Sequence, residues 1–181
     1  MPPNVTELKA IRDWFWYNSF VRRRYFEVIS RLPARELSRD RGASYPTLIE
    51  LFKHSLDGVS SFIQRMSVLH EKTNPAYPCP DNPSLNDLSK YVTHLEEQIS
   101  LFFATLTEGD LDRSFLVPKE PPWWDEDFTA PVRGTLYHLV EEELQHRGEI
   151  NALLWQIDVE PPITDWVSWE EAVAASAKGK E

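Results

Sequence analysis

Cysteine occurs only once in this chain, at Cys79 between Pro78 and Pro80. No internal disulfide can form, and the reducing conditions of the cytoplasm are the expected setting. Long apolar runs are also missing: nothing approaches the ~20 residues of a membrane span. The opening stretch, MPPNVTELKAIRDW, is too polar for a signal peptide. Basic residues are scarce, with 19 Lys and Arg against 29 Asp and Glu and a net charge of −10. Nucleic-acid binding is therefore not expected, because phosphates demand a basic surface. The one basic cluster, Arg22-Arg23-Arg24, is short and reads as a solvated helix face or an anion contact. Strand-like alternation of useful length and internal repeats are absent too.

What remains is an ordinary globular composition, 41% apolar and 27% charged, in 181 residues. That length fits one domain, 1–181, with a core over about 6–165. Apolar residues spaced by three and four define the first helix, roughly 6–32, through Ile11, Trp14, Phe15, Val21, Tyr25, Val28, Ile29 and Leu32. Pro33 ends it. Asn18 lies on the same stripe, so its amide is expected in the core or lining a cavity. A second run begins at Pro46-Thr47 and reaches about Leu69. Pro46 suits a first helical turn, where its missing N–H costs nothing.

The stretch from Asn74 to Ser84 holds four prolines in eleven residues and reads as a crossover loop. A third helix spans about Leu85 to Leu106, with Gly109 just past its end. A second long loop, roughly 107–130, contains Trp123 and Trp124. These two either pack over the bundle end or cover a substrate pocket. The fourth helix runs from Pro131 to about Ile157, ahead of Pro161 and Pro162. Four such helices with two long connections make an all-α four-helix bundle. Trp166 and Trp169 in the tail are expected to fold back on the bundle or to meet a second subunit as a homodimer. The last residues should fray.

Chemistry concentrates in the fourth helix. With about 100° per residue, His146 lies some 50° from the centre of the inward face and Glu142 some 90° away on the same flank. They are four residues apart and stack, so a carboxylate and an imidazole can share one metal ion. His138 points outward. Glu143 and Arg147 fall near the middle of the inward face and are expected to pair with each other. Gly148 beside them would allow a close approach. Glu143-x-x-His146 also has the form of a di-iron half-site, but no second Glu-x-x-His is well placed. For a third ligand, position modestly favours His54 over His70, His94 and His138, with scattered surface histidines as the alternative.

Two stretches resemble a known family. Leu32-Pro33-Ala34-Arg35-Glu36-Leu37, followed by Thr47 to His54, is similar to the DinB/YfiT-like stretch that leads to a helix-two histidine. Glu142 and Leu144 to Ile150 are similar to the same superfamily's H-x3-H-R-G-Q ending. The order of four helices with a long crossover agrees. The resemblance implies a metal-binding four-helix bundle with His54, Glu142 and His146 as ligands. Glu142 departs from the family, which usually has histidine there. Two histidines and a carboxylate still suit zinc, nickel, manganese or iron(II). The resemblance also implies a thiol-dependent S-transferase or a hydrolase acting on a small-molecule electrophile. The thiolate of a low-molecular-weight thiol would bind the metal and attack the electrophile in the pocket under Trp123 and Trp124; Asn18 is the further candidate for lining it. Lysine and arginine near that pocket would steer an acidic cofactor. A non-catalytic protein with a structural, vestigial or sensing site is the other expectation.

Overall fold

A computed structural model describes residues 5–70 and 76–178. Residues 74 and 75 of the expected crossover, the first four residues and the last three lie outside the described residues. The described residues form six α-helices: α1 (Glu7–Ile29), α2 (Ala34–Leu37), α3 (Leu48–Ser67), α4 (Leu85–Phe103), α5 (Val132–Trp155) and α6 (Trp166–Lys178). The four long ones, α1, α3, α4 and α5, make a bundle in which α3 packs on α4 and α5, and α1 packs on the same two. No helix among the described residues is long and apolar enough to cross a membrane.

The helix starts follow from local hydrogen bonding. Thr47 and Glu50 form a capping box on α3, and Ser84 and Asp87 form one on α4. Thr47 is thus the cap and Pro46 stands one residue outside the helix, not within its first turn. Thr6 caps α1 by accepting from the Lys9 amide. The bundle encloses Phe15, Phe52, Phe102, Leu56, Leu88 and Leu95, all essentially without solvent contact. Burying such side chains contributes on the order of 1.5–3 kcal/mol each.

Several expectations are corrected. The 107–130 segment is structured: a 3₁₀ turn at Glu108–Asp112 precedes an antiparallel hairpin of β1 (Ser114–Val117) and β2 (Phe128–Pro131). Gly109 belongs to that turn and does not end α4. The strands are four residues each, too short for alternation to stand out, yet Phe115 and Val117 face inward while Leu116 is exposed. The tail forms α6 (Trp166–Lys178). It does fold back: the Trp166 ring packs 4.9 Å from Trp14 and 5.0 Å from Tyr17. Tyr17 Oη also donates to the Thr164 carbonyl at 2.5 Å.

The polar core differs most from expectation. Arg22 is buried, not solvated, and its Nη1 donates to Glu143 Oε1 at 2.5 Å. Arg147 instead donates to Tyr17 Oη at 2.7 Å and to Asn18 Oδ1 at 3.1 Å. The expected Glu143–Arg147 bond is therefore replaced by bonds from α1 to α5. A carboxylate on the bundle axis takes the guanidinium that arrives from the facing helix, which periodicity within one helix cannot reveal. Burial still pushes the Glu143 carboxyl up, against the pull of Arg22 and Arg147. A Cβ on Gly148 would meet nothing within 4 Å, so no close approach uses that glycine.

Candidate metal centre

His54 projects from the middle of α3, and Glu142 and His146 from successive turns of α5. Because α3 and α5 pack together, the three side chains meet. One ligand atom from each lies within 4.8 Å of the other two, a grouping that could hold a metal ion. The imidazoles of His54 and His146 stand nearly perpendicular, with centroids 4.8 Å apart. Glu142 Oε2 lies 3.3 Å from His146 Nε2.

The two nitrogens of His146 have separate environments. Nδ1 is 2.9 Å from Glu149 Oε2, an oxygen that also accepts from Ser44 Oγ at 2.8 Å. Burial pushes the Glu149 carboxyl up, but the bonds from Ser44 and His146 outweigh it and leave the group below its ordinary value. An ionised Glu149 fixes the proton of a neutral His146 on Nδ1 and leaves the Nε2 lone pair free. Nε2 is buried and has no hydrogen-bond partner. An unsatisfied buried ring nitrogen beside a second histidine and a carboxylate fits a divalent ion.

His54 is prepared in another way. Burial lowers its pKa, and the neighbouring His146 lowers it further, against the opposing pull of Glu142, Asp57 and Glu149. The ring is thus neutral near pH 7, the form that ligates metal. Tyr45 stacks on it, centroids 4.0 Å apart and planes 20° apart. Burial, then the charges of Glu142, Asp57 and Glu149, raise the Tyr45 phenol, so it stays protonated.

A cavity of about 610 Å³ opens onto this cluster, bordered by Tyr45, His54, Phe62, Trp123, Trp124 and Glu142 among others. The volume falls within the usual range for small-molecule sites, ~300–1,000 Å³. Trp123 is 60% exposed, with its ring 6.1 Å from that of His54. Trp124 is held more firmly, donating from Nε1 to the Pro118 carbonyl at 2.9 Å and packing against Phe128 and Phe62. Both expected tryptophans therefore border the cavity. Asn18 does not; it is buried between α1 and α5, bonded to Arg147.

A chain with these helices and this cluster can be compared with known proteins. A family model described as the DinB family matches residues 2–178. The chain belongs to the DinB family. Two solved DinB-like proteins share the fold. The one from Bacillus subtilis, YjoA, is 20% identical with a TM-score of 0.58, covering 86% of this chain and 98% of that one. The one from Bacillus cereus is 16% identical with a TM-score of 0.58, covering 86% and 95%. A search of curated proteins finds no match.

Within this DinB-family chain, His70 and His94 lie away from the cluster. His70 faces Asp110 at 3.3 Å and His94 packs near Tyr77. His138 is half-exposed as expected, yet it borders the cavity with Nε2 3.9 Å from Glu142 Oε1. Sequence reasoning missed Tyr45 and Glu149. The i, i+3 spacing of Glu149 from His146 was the available signal for one; nothing marked Tyr45 in its loop.

Proposed function

We propose that this DinB-family protein is a divalent-metal-dependent enzyme acting on a small electrophile in the cavity over His54, Glu142 and His146. The observation that supports this best is the position of the three ligands: they converge from two helices, and two of them, His54 and Glu142, line a cavity large enough for a substrate. Three protein ligands leave coordination positions open, as catalytic sites do and structural zinc sites do not. A bound divalent ion would supply Lewis acidity, polarising the electrophile and lowering the pKa of a water or thiol.

The protein's own groups have definable tasks. His54 and His146 offer imidazole nitrogens, and Glu142 lowers the charge of the site by one. Glu149 and Ser44 hold His146 in orientation. Tyr45 shields the outer face of His54 and keeps a protonated hydroxyl. Trp123 and Trp124 exclude water from one side of the cavity. The apolar core is complete without the ligands, which supports a catalytic over a structural role for a metal.

The cavity wall bears on the nucleophile. Lys53 is the only lysine or arginine among the described lining residues, and its ammonium is bonded to Asp57 at 2.7 Å. Among the described lining residues there is no free lysine or arginine of the kind expected to steer an acidic thiol cofactor. Water is thus the favoured nucleophile, making the reaction a hydrolysis, with S-transfer from a low-molecular-weight thiol as the second form.

Metal-loaded protein should be assayed against small ester, amide and alkyl-halide electrophiles, with and without added thiols. Metal-dependent turnover that His146→Ala abolishes, while helical content is unchanged, is the expected result. Absence of turnover across both panels in fully loaded protein would contradict the catalytic reading. Loss of fold on metal removal would assign a structural role.

A further inference from the structure

The cavity has a wall chemistry that the ligand set does not use. Four aromatic side chains, Tyr45, Phe62, Trp123 and Trp124, share it with the carboxylates of Glu50, Asp57, Asp81 and Glu120. Two of these acids are already matched, Asp57 by Lys53 and Glu120 by Arg65. Glu50 and Asp81 form no ion pair among the described residues. Glu50 accepts only the Thr47 amide, as part of the α3 cap.

The aromatic wall already receives one cation. The Arg65 guanidinium lies 5.3 Å from the Phe62 ring centroid and 5.9 Å from that of Trp124. Among the described residues no cation lies over Trp123, which leaves most of its surface in solvent. A tryptophan face is the best aromatic acceptor for a cation, and nearby unpaired carboxylates add attraction of the same sign. An anion entering here would meet repulsion, and a neutral isostere would gain from the aromatic surface but not from the charges. A divalent ion on the floor would repel a cationic group brought close to it. The charge of such a ligand is therefore expected on the solvent side of Trp123, away from the ligand cluster, with its uncharged end toward the cluster.

We propose that the cavity binds a small organic cation, an amine or quaternary ammonium compound, with its charged group against Trp123 and in the field of Glu50 and Asp81. This names the substrate class of the proposed enzyme and rests on the cavity being its substrate site.

The test compares choline with its uncharged isostere, 3,3-dimethylbutan-1-ol, by calorimetry on the full chain, metal content being measured in the same samples. Choline should bind about tenfold more tightly. The preference should shrink several-fold in Trp123→Ala, an exposed position whose loss leaves the fold intact. It should also shrink in Glu50→Gln/Asp81→Asn, where glutamine keeps the capping-box acceptor. Equal affinity for the two compounds, binding of neither, or a preference untouched by both variants would overturn the proposal. Metal uptake without choline preference sinks this inference alone. Choline preference without metal uptake supports it and removes the metal-enzyme reading.

Discussion

Glu149 Oε2 lies 2.9 Å from His146 Nδ1, one helical turn away on α5, and the same oxygen is tied to Ser44 in the loop before α3. This contact leaves Nε2 of His146 facing the cluster, so Glu149 would act on a bound metal without touching it. Outer-shell carboxylates of this kind typically contribute 10–100-fold to metal affinity. Glu149→Ala should weaken metal binding by about that factor, with little change in helical content. Glu149→Gln, which can still accept from Nδ1–H, should lose less. Titration with a chromophoric metal competitor separates these outcomes.

Glu142 keeps a partly exposed carboxylate 3.3 Å from His146 Nε2. If it is a working ligand, Glu142→His should retain metal and Glu142→Ala should release it. Equal retention by both variants would show that the carboxylate is a bystander.

The Arg22–Glu143 pair predicts an asymmetric stability response. Arg22→Met leaves a buried carboxylate without its closest partner and should cost about 3–5 kcal/mol. Replacing both, as Arg22→Met/Glu143→Leu, should recover most of that loss, because the desolvation of two charges disappears as well. Urea unfolding of the three proteins measures the coupling. Similar losses in the single and double variants would assign the effect to packing.

How much of this was legible beforehand depends on whether a single helix held the information. Glu142 and His146 share a flank of α5, and i, i+4 spacing alone brings them together. His54 needed the family resemblance, because nothing in α3 says which neighbour its border positions face. Arg22 was assigned to solvent and Glu143 to Arg147 for the same reason: the correct partner comes from another helix. Tyr45 sits in an irregular connection, where no period exists to read. The hairpin went unseen because its four-residue strands bury two positions in β1 and one in β2, too few to separate from chance.

Gly148 offers a cleaner stability test. It occupies an exposed position inside α5, and a Cβ there meets nothing within 4 Å. Gly148→Ala should therefore stabilise the protein by about 0.5–1 kcal/mol. A destabilised variant in thermal unfolding would mean that the glycine serves an approach this structure lacks.

Asp110 sets an acid limit on stability. Burial opposes its ionisation, but bonds from Thr107 and Arg113 prevail and hold the carboxyl at about 2, below its ordinary 3.8. A carboxyl whose pKa is lower folded than unfolded stabilises above the unfolded value and loses that contribution as pH falls toward the folded one. The contribution, about 2 kcal/mol, should be intact at pH 6 and fade from about pH 4 down to about pH 2. Asp110→Asn should narrow the stability gap to wild type across that window. A gap independent of pH would remove Asp110 as its source.

The central claim is that His54, Glu142 and His146 bind one divalent ion. Elemental analysis of purified, metal-reconstituted wild type beside His54→Ala and His146→Ala tests it most directly. The account predicts close to one ion per chain in wild type and a large loss in each variant, with helical content preserved. Wild type that takes up no ion, or variants that retain it fully, would contradict the account.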